Sequence, residues 1–163
     1  FDDLCVIGSS AEVVSGGSLI SLQSDDFDQG GDLVAAHISN AGGCSGVNQS
    51  PQLNWSGVPE DAVSLVIIVS DADDDNSTHW AIYGIPVATT ELQQNAQIAD
   101  PAEELVDYTG PCPPQGDGNH RYVFKIYALN ADIAAPITIE DLKTSMEGKI
   151  IACGQITGRY ERP

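Results

Sequence analysis

The sequence predicts a mainly β protein that folds as a single domain spanning residues 1–163. Five segments show the two-residue alternation or the short β-branched runs that are typical of strands, and clusters of Gly, Pro, Asn and Asp separate them. Only one segment has clear helical spacing. Hydrophobic residues make up 42% of the chain, which is enough for a buried core, and no repeat or linker divides it.

The strand pattern occurs in five places. In chain order these are Ser18–Gln23, Asp32–Ser39, Ser64–Ser70, Trp80–Ile85 and Arg121–Leu129. Each run ends at a loop-forming cluster, and the longest of these clusters cover residues 40–51 and 110–119. We expect these loops to carry the polar chemistry of the protein, because loops at the ends of rigid strands commonly do so.

One helix is predicted near the C-terminus of the sequence. Thr138 is a suitable N-cap and Asp141 follows three residues later, as in a capping box. Apolar residues then follow helical spacing as far as Ile150, with an interruption at Gly148. A second, weaker helix is predicted over Asp100–Val106, with Pro101 in its first turn.

The charge balance narrows the classes of partner. The chain has 24 acidic and 6 basic residues, for a formal net charge of −18. A field of this sign repels polyanions, so nucleic acid is not expected as a partner. No run of about 18 apolar residues is present, so no integral membrane contact is expected either.

Four cysteines, Cys5, Cys44, Cys112 and Cys153, are spaced without any C-x-x-C pair. This spacing disfavours a metal–thiolate site and thioredoxin-like redox chemistry, and it favours disulfides. Four cysteines allow three pairings, which the spacing leaves open. Because structural disulfides form in oxidising compartments, the protein is predicted to be secreted or periplasmic.

An acidic segment follows the apolar run at residues 64–70. It begins like a calcium-binding loop, but Asn76 replaces the required glycine and Ile82 stands at the position of the last ligand, which excludes an EF-hand. Asp71 and Asp73 are two residues apart, so on an extended backbone both would line one pocket.

Two histidines have similar settings at the starts of strands. His79 begins one strand, and His120 follows the Gly/Pro loop of residues 110–119. Strand periodicity places His120 and Tyr122 on one face and Arg121 on the other. The alternatives are a structural role for His79 and a core aromatic role for Tyr122.

Together these groups have the chemistry of an anion site. Imidazole N–H groups, a phenol and the backbone N–H groups of a Gly/Pro loop can hold phosphate oxygens. A carboxylate repels an anion, so Asp71 must either orient and charge a histidine or meet the cationic end of a zwitterionic ligand.

Several separated motifs occur in the order seen in one known family. They are SPQLNWSGVP at residues 50–59, the DxD of residues 71–73, HW at residues 79–80, GPCPP at residues 110–114, HRYVFKIYAL at residues 120–129 and GRYER at residues 158–162. The chain therefore resembles the phosphatidylethanolamine-binding proteins, in particular their bacterial and archaeal branch. The resemblance implies a β-sandwich, in which a large antiparallel sheet packs on a smaller one with short peripheral helices, and a small anion pocket at one end.

The resemblance also implies the site residues. The ligand-binding set matched here is Asp71, Asp73, His79, Gly110, Pro111, His120 and Tyr122, with Pro111 shaping the wall and Asp73 in support. The family usually has DPDAP where this chain has DADDD, which makes the loop looser and more negative. Bacterial members often carry cysteines at the positions of Cys44 and Cys112, which implies the pairs Cys44–Cys112 and Cys5–Cys153.

The function predicted from these observations is non-enzymatic binding of a small anionic or zwitterionic ligand, such as a phosphoethanolamine-type head group. No catalytic residue, metal or cofactor is expected. Three alternatives remain. The first is a protein-interaction module that inhibits an unidentified protease or kinase through the exposed face of the pocket. The second is a metal-assisted hydrolase using Asp71, His79 and His120. The third is an enzyme with Cys112 as its nucleophile and His79 or His120 as the base.

Overall fold

The computed structural model describes residues 18–163. The strands in this part of the chain are β1 Ser18–Leu19, β2 Ser21–Gln23, β3 Gly31–Asp32, β4 Leu53–Ser56, β5 Ser64–Asp71, β6 Ser77–Ile85, β7 Glu91–Leu92, β8 Glu103–Val106, β9 His120–Leu129 and β10 Ile150–Tyr160. A 3₁₀ helix covers Ala35–His37, and the α-helix α1 covers Ile139–Met146. The prediction of a mainly β protein is confirmed.

The strands form a large sheet and a small one, as the family resemblance implied. The large sheet has the order β1-β10-β9-β5-β6-β8, and β3 also pairs with β10. Its pairs are antiparallel except that β1 and β3 run parallel to β10. The small sheet has the antiparallel order β2-β4-β7.

Buried side chains form two clusters, and together they cover both faces of the large sheet. In β5, Leu65, Ile67 and Val69 belong to the cluster that includes Leu53 and Trp55 of the small sheet. The alternate residues of β5 belong to the cluster that includes side chains of α1. A strand buried on both faces reads as an unbroken apolar run, which explains the sequence of β5.

The predicted C-terminal helix is present and begins at its predicted cap. The Thr138 hydroxyl accepts a hydrogen bond from the Asp141 backbone N–H, and the Asp141 side chain accepts one from the Thr138 N–H. The helix ends at Met146, and Ile150 begins β10 instead of extending the helix. No helix within residues 18–163 is long and apolar enough to cross a membrane.

Two of the predicted elements are wrong. The segment predicted as a helix from Asp100 to Val106 contains β8, whose pairing with β6 outweighs the helical preference of Glu and Leu. The segment Asp32–Ser39 contains only the end of β3 and then turns into a 3₁₀ helix. Its residues Leu33 and Ile38 pack in the core, whereas Val34 is exposed.

The longest strand, β10, was missed in the sequence because glycines interrupt it. At Gly154 a Cβ atom would lie 2.0 Å from the Ile20 carbonyl oxygen, so glycine is needed for the close approach of the two backbones. The Ile20 N–H donates to the Cys153 carbonyl over 2.8 Å. The short strands β4, β7 and β8 were also missed.

Candidate functional site

The candidate site lies at one end of the large sheet, where three adjacent strands begin or end. Asp71 is the last residue of β5 and pairs in register with Tyr122 of β9. His120 is the first residue of β9, and His79 lies near the start of β6. The antiparallel order of β6, β5 and β9 therefore brings together side chains that are far apart in the sequence.

A buried ion pair between Asp71 and His120 forms the base of the site. The His120 Nδ1 lies 2.7 Å from the Asp71 Oδ2, and both residues are at most 4% exposed. The other carboxylate oxygen of Asp71 accepts a hydrogen bond of 2.9 Å from the Asp73 backbone N–H. Asp71 thus orients and charges His120, which is one of the two roles expected for it.

A second carboxylate, which the sequence did not predict for the site, holds the other ring nitrogen of His120. The Asp117 Oδ2 lies 2.8 Å from the His120 Nε2. Ionised carboxylates only accept hydrogen bonds, so the two contacts favour the imidazolium form of His120, in which both ring nitrogens donate. The hydrogen bond to Asp71 first, and that to Asp117 second, raise the pKa of His120 above its usual value, although partial desolvation opposes them.

His79 and Tyr122 complete the ring cluster. The His79 Nδ1 donates a hydrogen bond of 2.7 Å to the Thr109 carbonyl oxygen. The His79 ring meets the Tyr122 ring edge to face, with 5.3 Å between centroids and an interplanar angle of 84°. The Tyr122 ring also stacks near the His120 ring at 6.5 Å, which confirms that His120 and Tyr122 share a face.

The Tyr122 hydroxyl is the unusual group of the site. The residue is 1% exposed, and its Oη has no hydrogen-bond partner within residues 18–163. Burial raises the pKa of the Tyr122 phenol well above its usual range, and the charge and closeness of the Asp71 carboxylate raise it further, so the phenol keeps its proton. A buried hydroxyl normally has a hydrogen-bond partner, so the Tyr122 hydroxyl is available to donate a hydrogen bond to a ligand.

The loop at Gly110 and Pro111 forms a wall that is tied to the chain around residues 37–48. The Gly110 N–H donates to the Asn48 Oδ1 over 2.7 Å, and the Pro111 carbonyl accepts from the Ser39 N–H over 3.1 Å. The Gly110 N–H is therefore committed to Asn48 and does not point into open space for an anion. Nothing in the sequence signalled this use of Asn48.

The Asp73 side chain turns toward Arg121 and does not share a face with the Asp71 side chain, contrary to expectation. The strand ends at Asp71, so strand alternation does not extend to residue 73. Asp73 instead pairs with Arg121, with 2.9 Å between its Oδ1 and the arginine Nη2. Hydrogen bonds from Arg121 lower the pKa of Asp73 to about 2. Asp73 supports the site through its backbone N–H, which holds Asp71.

The predicted disulfide between Cys44 and Cys112 is present, with 5.9 Å between the Cα atoms. It joins the loop before Asn48 to the Gly110 loop, so it braces the wall of the site. Because Cys112 has no free thiol, the alternative of a cysteine nucleophile is excluded. In the predicted pair Cys5–Cys153, Cys5 lies outside the described residues, so that pairing stays a prediction.

The geometry does not favour the alternative metal site. Both ring nitrogens of His120 are held by carboxylates, and one nitrogen of His79 is held by a carbonyl. A metal-bound histidine must present a free lone pair, which His120 lacks here. Within residues 18–163, no group of three His, Cys, Asp or Glu side chains is placed to hold a metal ion.

The comparisons with known proteins agree with this architecture. A family model described as phosphatidylethanolamine-binding protein matches residues 23–161. The chain belongs to the phosphatidylethanolamine-binding protein family. The UPF0098 protein of Aquifex aeolicus is 33% identical over 162 residues, which cover 91% of this chain and 92% of that protein.

Two solved structures of family members are similar along most of the chain. Escherichia coli YbcL, described as a new member of the mammalian PEBP family, is 28% identical with a TM-score of 0.81, and the match covers 88% of this chain and 99% of YbcL. A family homologue from Chlamydia trachomatis is 33% identical with a TM-score of 0.77, and the match covers 90% and 99% of the two chains. This chain therefore shares the phosphatidylethanolamine-binding protein fold with both structures over about nine tenths of its length.

Proposed function

We propose that this chain is a non-enzymatic binding protein that takes a small phosphate-bearing ligand, such as a phosphoethanolamine-type head group, between His79, His120 and Tyr122. The observation that supports this most is the buried Tyr122 hydroxyl with no partner within residues 18–163. A buried donor without an acceptor is costly, and a ligand oxygen would satisfy it.

The neighbouring groups supply further donors. His120 is an imidazolium held by carboxylates, which places a positive charge beside the Tyr122 ring. The His79 Nδ1 already donates to a carbonyl, so its Nε2 becomes a donor only when the ring is protonated. A phosphate would receive a charge-assisted hydrogen bond from a protonated His79, and one from His120 once it takes the place of the Asp117 carboxylate.

The site favours binding over catalysis. His120, the buried imidazole, is held at both nitrogens, so it is not poised to take a proton from a substrate. Cys112 is in a disulfide and cannot serve as a nucleophile. The family name refers to phosphatidylethanolamine, whose head group combines a phosphate with an ammonium group, and this chemistry suits a site that contains both imidazoles and carboxylates.

The proposal predicts that anion affinity falls as pH rises through the histidine titrations. Protonated imidazoles attract phosphate, and neutral ones offer less charge and fewer donors. Because the pKa of His120 is raised, the part of the anion affinity that depends on its proton is lost at higher pH than it would be for an ordinary histidine. His120→Ala should therefore flatten the pH profile in its upper part.

The test is calorimetric titration with phosphoethanolamine at several pH values between about 6 and 9, which extend above the ordinary histidine range. Tyr122→Phe should weaken binding about tenfold or more, because it removes one hydrogen bond to a charged group. Tyr83→Phe is the matched control, since the Tyr83 hydroxyl is exposed and bonded to Glu103 on the same sheet.

Two results would contradict the proposal. One is equal affinity in Tyr122→Phe and Tyr83→Phe, and the other is a pH profile that His120→Ala leaves unchanged. If the wild type did not bind phosphoethanolamine, the proposed ligand would be wrong, and the alternative of a protein-interaction module that uses the pocket face would be favoured.

We also propose that the protein works in an oxidising compartment, outside the cytoplasm. The Cys44–Cys112 disulfide supports this, because such bonds persist where thiols are not kept reduced. A count of free thiols in protein isolated from its native compartment, under alkylating conditions, tests the proposal. Free thiols at both positions would contradict it.

A further inference from the structure

Asp117 occupies the position on His120 that an incoming anion would use. Its Oδ2 lies 2.8 Å from the His120 Nε2, which is a hydrogen-bond distance for a charged pair. The opposite ring nitrogen is held by Asp71 at 2.7 Å. Neither N–H of His120 is therefore free while Asp117 stays in place.

The two carboxylates on His120 differ in their freedom to move. Asp71 is 3% exposed and is also held by the Asp73 N–H. The Asp117 side chain is 53% exposed. Its neighbours Gly116 and Gly118 lie in open space, since a Cβ atom added at either glycine would have no atom within 4 Å. Asp117 can thus reorient toward a ligand without disturbing the core, whereas Asp71 cannot.

The charge around the unpartnered Tyr122 hydroxyl follows from these contacts. His120 contributes one positive charge, and Asp71 and Asp117 contribute two negative charges. A simple anion that approaches the hydroxyl meets this excess of carboxylate. A ligand that also carries an ammonium group brings a partner for the mobile carboxylate.

We propose that Asp117 is a specificity-determining residue that makes the site select zwitterionic phosphate monoesters over purely anionic ones. The phosphate group binds beside Tyr122, and the ammonium group pairs with the Asp117 carboxylate. This inference rests on the proposed function, because it concerns the ligand of the same site. The buried donor of Tyr122 is the independent sign that a ligand belongs there.

The test compares phosphoethanolamine with ethyl phosphate, a monoester of similar size that lacks the ammonium group. Affinities are measured by calorimetry for the wild type, Asp117→Asn and the control Asp132→Asn. Asp132 is exposed and lies beyond the far end of β9, so its replacement removes the same charge away from the site.

We expect the wild type and Asp132→Asn to prefer phosphoethanolamine. In Asp117→Asn the preference should fall about tenfold or more, since a charge-assisted contact is lost. Ethyl phosphate should bind more tightly to that variant than to the wild type, because a competing carboxylate is removed.

The outcomes separate this inference from the function on which it rests. An unchanged preference in Asp117→Asn, with binding still weakened by Tyr122→Phe, would overturn the role of Asp117 and leave the binding site standing. Failure of the wild type and all variants to bind either monoester would overturn both. Far-UV circular dichroism confirms that each variant is folded before titration.

Discussion

At the scale of single residues, His120 links the site to the stability of the fold. Its ring is 4% exposed and makes hydrogen bonds to Asp71 and Asp117, which raise its pKa. In the unfolded chain a histidine titrates near pH 6.5, about the reference value. The folded state therefore holds the proton to higher pH than the unfolded state does.

The first prediction concerns the pH dependence of this contribution. The stability that the His120 proton contributes is complete below about pH 6.5 and is lost as pH rises through the raised pKa. The difference in unfolding free energy between the wild type and His120→Gln should therefore shrink as pH rises. Denaturant unfolding at several pH values between about 6 and 9 measures it.

His79→Gln is the control, because the His79 ring has a carbonyl partner and no carboxylate. The same measurement on that variant controls for the loss of an imidazole from the site. A difference between wild type and His120→Gln that stays constant over this range, or grows with pH, would contradict the prediction.

Residue-level reasoning predicted the partners along a strand better than those across loops. Strand periodicity correctly placed His120 and Tyr122 on one face. It failed for Asp73, because the strand ends two residues earlier and the chain turns. Asp117 was not predicted, although its position three residues before His120 in a glycine-rich loop is a weak signal.

At the scale of elements, the Gly110 loop depends on a close contact that only glycine permits. A Cβ at residue 110 would lie 2.2 Å from the His37 carbonyl oxygen and 2.6 Å from the Ser39 nitrogen. These are backbone atoms, which cannot move aside as the end of a flexible side chain can. The contact holds the wall of the site against the chain near the 3₁₀ helix.

The second prediction follows from this contact. Gly110→Ala should destabilise the protein by about 2–3 kcal/mol, as overpacking does, and should weaken ligand binding because the wall shifts. Gly116→Ala is the comparison, since nothing lies within 4 Å of its built Cβ, and its positive φ of 84° should cost about 1–2 kcal/mol. Equal losses of unfolding free energy in the two variants would contradict the role given to Gly110.

Elements with a strong local pattern were predicted well, and those that depend on pairing were not. The helix α1 has its cap in the sequence, and Thr138 and Asp141 form the expected capping box. By contrast, the composition of β8 favours a helix, and the segment forms a strand because it pairs with β6 at the edge of the large sheet. The same holds for β10, whose glycines weaken the strand signal while permitting close packing.

At the scale of the whole molecule, the Cys44–Cys112 disulfide ties together segments 68 residues apart. Closing a loop of this length restricts the unfolded chain strongly. The third prediction is that replacing both cysteines by serine lowers the unfolding free energy by about 2–4 kcal/mol. Because the disulfide braces the Gly110 loop, the double variant should also bind phosphoethanolamine more weakly.

Chemical denaturation of the oxidised wild type and the Cys44→Ser/Cys112→Ser variant measures the difference. Wild type treated with a reductant should lose at least as much stability as the variant, because the reductant also breaks the predicted Cys5–Cys153 pair. If the variant lost no stability and the reductant had no effect, the disulfide would not brace the fold.

The sequence by itself determined the fold class, the cap of α1 and the shared face of His120 and Tyr122, and the family motifs indicated Asp71, His79, His120 and Tyr122 as residues of one site. These properties depend on local periodicity, on side-chain chemistry and on motif order, all of which can be read along the chain. Only the tertiary structure decided three contacts of the site. Asp117 accepts a hydrogen bond from His120, Asn48 accepts one from the Gly110 N–H, and Asp73 pairs with Arg121. The physical reason is that the path of a loop is set by packing and hydrogen bonds to segments distant in the sequence, and no local pattern records those contacts.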